Sequence, residues 1–202
     1  MSQLGFTFVA EAPTQEPAPF KVLPLEPFKP LDAQTAIPLY LAMIERHHAA
    51  MLAGDEKTAL TIRKDAHKLA AQMNEDGTTF GIIAGDDAPG CVLERETQAP
   101  AGTVPLWGQS GDFIIDVDGM HVRIEQDGIF GIGASSMPWP GFSAHIVDRD
   151  KPFFSETGYR SFLGIHAPMV PGMTPDTVAV EVIRGLIASE RKPARKTRKV
   201  KT

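Results

Sequence analysis

The chain has 202 residues, 43% of them apolar and 22% charged, with a formal net charge of −5. That length suits one sizeable core with tails. Its longest apolar runs, 36–43 and 178–187, are broken by Pro, Arg or Glu well before the roughly 20 residues of a bilayer span, so no membrane helix is expected. Cys91 is the single cysteine, which excludes an internal disulfide and fits a reducing compartment.

The N-terminal string MSQLGFTFVAEAP has no basic residue before its short apolar patch, unlike a secretory signal. A cytoplasmic location is expected. Residues 11–38 then hold seven prolines interspersed with Phe20, Val22, Leu23, Leu25 and Phe28. Proline at this density forbids regular helix and favours extended backbone. A plain linker would not expose that many apolar side chains, so residues 1–34 are read as an extended arm lying along the domain or joining a homodimer.

From Thr35 the apolar residues recur at helical spacing through Ile37, Tyr40, Leu41, Ile44, His48 and Met51, with Gly54 as the stop. A second helix is expected from Asp55 to about Asn74, completing an αα-hairpin over 35–76. Glu45 and His48 have the E-x-x-H spacing of di-iron bundles, but His67 alone faces them, with no further inward carboxylates. No metal or cofactor is expected there or at His47.

Residues 77–172 hold 15 of the 18 glycines and are read as the sheet region. Phe80–Ala84 and Gly90–Arg95 are expected to form one hairpin, with Cys91 a small buried residue in its second strand. Phe113–Val117, Met120–Glu125 and Ile129–Ile132 are expected to form a meander joined at Asp118-Gly119 and Asp127-Gly128, because Asp-Gly is favoured hairpin-turn chemistry. Met120, Val122 and Ile124 alternate with His121, Arg123 and Glu125, giving one apolar and one wet face. Phe142–Val147 is a further strand, and Pro175 opens a helix over 174–190. Together these elements predict an α+β fold: a helical hairpin, a central antiparallel meander and a C-terminal helix, all within one domain spanning 35–190.

The basic tail, residues 191–202, carries Arg191, Lys192, Arg195, Lys196, Arg198, Lys199 and Lys201 and no acid, which leaves 13 cationic and 25 acidic side chains, a net −12, to residues 1–190. Such a segment cannot bury enough apolar area to order itself, and is read as a disordered arm. It attracts phosphate backbones without reading sequence. Folding back on the acidic body is its bland alternative.

The scaffold carries several partial chemical motifs. The run Gly128, Gly131, Gly133 is followed by Met137-Pro138-Trp139-Pro140, which prevents the helix a phosphate cradle needs. No G-x-S-x-G supports Ser143 or Ser161 as a nucleophile with His145 or His166, and His145, Asp148, Asp150 and His166 fit no metal cage. Richest in donors is 148–166, where Arg149, Ser155, Thr157, Tyr159, Arg160 and Ser161 gather hydroxyls and guanidinium forks around Gly158. Such groups hold carboxylates, phosphates or a partner's acidic side chains. The expected function is therefore a non-enzymatic binding or regulatory protein that recognises a macromolecule through 148–166, with the tail adding attraction for nucleic acid. The alternative is a hydrolase or metal-dependent enzyme with its pocket between the sheet and that segment.

Overall fold

The structure, a computed structural model, describes residues 28–134, 136–148 and 157–190. Most of the proline-rich arm, Arg149 and Ser155, and every cation of the basic tail lie outside the described residues. Helix α1 (Ala33–Ala53) begins two residues earlier than its periodicity predicts, because Asp32 caps it, accepting the Thr35 N–H at 2.8 Å. Gly54 ends it in the left-handed conformation. Helix α2 (Glu56–Met73) follows at once, capped by Asp55 on the Thr58 N–H. The two pack as an antiparallel hairpin through Ala36, Tyr40 and Ile44 against Ala66, Leu69 and Ala70.

The expected hairpin over 80–95 is not formed. Residues 78–88 are turns, and Pro89–Glu96 is a helix, α3, with Pro89 in its first turn and Leu93 buried against the α1–α2 pair. Cys91 is thus a partly buried helix residue. The six residues 90–95 carry too little period to separate strand from helix, and Pro89 decides it: its fixed φ suits a helix start, and its missing N–H is not needed there.

Two of the predicted meander strands stand, β1 (Gly111–Val117) and β2 (Met120–Gln126), joined at Asp118-Gly119. The third does not. Ile129 and Phe130 are buried beneath the helical layer, and the chain turns through 131–134 with Gly133 at φ 80°. The sheet continues instead with β3 (Phe142–Ile146) and β4 (Tyr159–Phe162) in the order β1-β2-β3-β4, every pair antiparallel. Helix α4 (Pro175–Glu190) places Ala179 and Ile183 against Phe113, Ile115, Val122, Ile124 and Ala144, covering one face of this sheet. The result is α+β, with four helices and a four-stranded antiparallel meander. Among the described residues, no helix is long and apolar enough to cross a membrane.

A buried polar clamp joins the two layers. Arg63 of α2 is fully buried; its Nε–H donates to His47 Nε2 at 2.8 Å, and its terminal nitrogens donate to the carbonyls of Met137 (2.6 Å) and Pro138 (3.0 Å). His47 Nδ1 in turn donates to the Trp107 carbonyl at 2.8 Å. Burial and the Arg63 charge push the His47 pKa down to about 4, so the ring is neutral and its tautomer fixed. Gly108 must lack a side chain: its φ is 92°, and a Cβ would lie 2.7 Å from His47 Nδ1. Trp107 also packs on Trp139, with ring centroids 5.5 Å apart.

Candidate functional site

The sheet face opposite α4 carries no described element over it, and strand register sorts its side chains into rows. One row runs Asp112, Glu125, Ser143, Ser161; the next runs Ile114, Arg123, His145, Tyr159; Asp116 and His121 begin a third. Residues directly opposite in an antiparallel pair project to the same side, so each row is contiguous across the strands. Ile114, in the middle of β1, is 59% exposed and Tyr159, at the start of β4, 45%, large apolar or aromatic surfaces left in water.

The face is held by polar contacts of its own. Glu125 bonds Arg123 through one carboxylate oxygen (2.7 Å) and His145 Nε2 through the other (3.1 Å). The His145 and Tyr159 rings pack at 4.8 Å, and the Tyr159 hydroxyl lies 3.3 Å from that of Ser143. At the far corner Asp148 accepts both the backbone N–H and the ring Nδ1 of His121, at 2.9 and 3.0 Å. Beside the first row a shallow groove of about 350 Å³ opens between Gln98, Ser110, Asp112, Arg123 and Glu125. Of the described side chains just named, Asp112, Asp116, Glu125 and Asp148 are acids, and Arg123 is the permanent cation. Residues 149–156, outside the described residues, hold two cations and two acids.

Strand alternation divides the candidate set of 148–166. Tyr159 and Ser161 stand on the open face, and Thr157 is exposed just before β4. Arg160 pairs in register with the buried Ala144 and so projects toward the α4 side, its guanidinium carbon 5.9 Å from the Phe162 ring centroid. Arg160, His121 and His145 therefore do not converge. Ser143 bonds Tyr159 while His145 bonds Glu125. His47 serves the buried clamp, and His48 Nδ1 accepts the Trp107 N–H at 3.1 Å. Among the described residues there is no group of three or more His, Cys, Asp or Glu side chains able to hold a metal.

Asp112, Ile114 and Asp116 belong to this surface beyond the residues expected from the sequence, although their alternation with Phe113, Ile115 and Val117 encodes it. Tyr159-Arg160-Ser161-Phe162 is a strand where no strand is expected. The aromatic residues at its ends and the preceding Gly158 were the available signal.

Residues 110–199 match the family described as the KlcB third domain. The chain is 47% identical over 116 residues to one Protein KlcB of Escherichia coli, covering 57% of this chain and 24% of that protein. It is 33% identical over 165 residues to another Protein KlcB of Escherichia coli, covering 81% of this chain and 39% of that protein. The chain thus spans between about a quarter and two fifths of the curated relatives it matches. No solved structure matches it significantly. The region similar to the KlcB third domain contains all four strands and α4, and so the whole open face.

Proposed function

We propose that this chain is a non-enzymatic binding protein that recognises a macromolecular partner through the open face of its sheet, with Tyr159 and Ser161 as the described contribution of 148–166. The observation that carries this reading is the sheet itself. One face is covered by α4, while the other presents Ile114, Arg123, His145 and Tyr159 in one row to solvent. Exposed aromatic and apolar surface framed by polar groups is the usual composition of a protein-recognition patch. Ser143 with Tyr159, His145 with Glu125 and His121 with Asp148 are already bonded to one another, which favours a preorganised surface over a reactive centre.

The acidic balance of the face favours a protein segment bearing Lys or Arg over a phosphate backbone. Attraction for nucleic acid belongs, in this reading, to the seven cations of 191–202. The test is capture of partners from host lysate by the wild-type chain and by a Tyr159→Ala/Ile114→Ser variant. Both sites are exposed, so the variant keeps its melting temperature and loses the captured partner. Equal capture by both proteins refutes the assignment of this face.

A further inference from the structure

The α1–α2 hairpin holds a groove of about 350 Å³ lined by Leu39, Ala42, Met43 and Leu69 together with Arg46, Asp65 and Lys68. Leu39 is 47% exposed there. The chain enters the fold close by. The Leu31 N–H donates to the Gln72 carbonyl at 2.7 Å, Gln72 itself lines the groove, and the Phe28 ring lies against Gly77 at the end of the same hairpin. Phe28 therefore stands only a few turns of α2 from an apolar surface that no described residue covers.

The chemistry of the residues before Phe28 fits that surface. Phe20-Lys21-Val22-Leu23-Pro24-Leu25-Glu26-Pro27 carries four apolar side chains, one cation and one acid, and the groove's lining includes Asp65 as well as Arg46 and Lys68. Pro24 and Pro27 fix their own φ and disfavour helix at the residues before them, which lowers the entropy lost on docking. At ~3.1 Å per residue, eight residues reach ~25 Å. The stretch of α2 from Asp65 to Gln72 is ~10 Å long at 1.5 Å per residue. The segment is long enough to turn back from Gly77 and cover the groove.

We propose that residues Phe20–Pro27 dock in extended form in the α1–α2 groove of their own chain. This inference is independent of the sheet face, and neither stands or falls with the other.

Trypsin reads the docked state, because cleavage after Lys21 needs an undocked segment; the bond after Lys29 precedes Pro30 and resists. In the full chain, cleavage after Lys21 is expected to be at least about tenfold slower than in a synthetic peptide of residues 14–28, a ratio set by the local opening equilibrium. Leu39→Glu, at an exposed position, is expected to restore the peptide's rate with the melting temperature unchanged. Leu23→Ser/Leu25→Ser tests the other side of the contact without touching the hairpin, and is expected to do the same. Cleavage of the wild-type chain at the peptide's rate overturns the proposal, as does protection that survives the Leu23→Ser/Leu25→Ser change. Protection that disappears on dilution overturns it in favour of docking on a second copy.

Discussion

Glu94, partly buried, and His47, fully buried, are ionisable side chains whose opposite shifts shape the stability of the fold. Glu94 accepts the Phe130 N–H at 3.1 Å and lies so close under Gly128 that a Cβ there would collide with its carboxylate. Burial raises its pKa from 4.5 to about 7, with the nearby Asp127 adding to the rise. The native state therefore holds more protons than the unfolded chain between pH 4.5 and about 7, so stability falls as pH climbs through that window, by ~3 kcal/mol for the whole shift. His47 acts in the other sense: its pKa drops from 6.5 to about 4, the unfolded chain binds the extra proton, and stability rises from pH 4 to 6.5. The two slopes offset each other between pH 4.5 and 6.5. Glu94→Gln keeps an oxygen for the Phe130 N–H and removes the falling limb. Its melting temperature should climb steadily from pH 4 to 6.5 and then level, while the wild type stays comparatively flat before declining toward pH 7. Parallel profiles for the two proteins would show that Glu94 titrates as an ordinary carboxylate. This cluster was not legible in the sequence: nothing local to Glu94 signals that Gly128 and Phe130, more than thirty residues on, close over it.

Among the elements, those with long or clean periods could be read from the chain. Helices α1, α2 and α4 show apolar spacing over four or more turns, and β1 and β2 alternate around an Asp-Gly turn. Helix α3 and strand β4 are eight and four residues long, too short for a period, and their identity is set by packing against elements distant in sequence. Reading 159–162 as a strand separates the candidate residues: Tyr159 and Ser161 go to the open face and Arg160 to the α4 side, a division that spacing within a loop could not supply. The two faces should respond differently to substitution. Ile183→Ala removes side-chain volume from the α4–sheet core and should cost about 2–5 kcal/mol in urea unfolding. Ile114→Ser, at an exposed position of the opposite face, should change stability by no more than about 0.5 kcal/mol. Comparable costs at both positions would mean that the open face is covered.

At the scale of the whole molecule, charge is segregated along the chain: net −12 over residues 1–190 and seven cations in the last twelve residues. If the tail supplies the attraction for nucleic acid, the intact chain should be retained on heparin or duplex DNA at low salt, and its affinity should fall steeply as salt rises. Deleting 191–202 should abolish retention and leave the melting temperature in place, whereas equal retention would remove the tail from this role. The central claim, that the open sheet face is the recognition surface, is tested most directly by site-specific photo-crosslinking in the host. A photoreactive residue at Ser161, exposed on β4, should trap a discrete partner, and the same group at Glu181, exposed on α4, should not. Crosslinking from Glu181 with none from Ser161 would contradict the account.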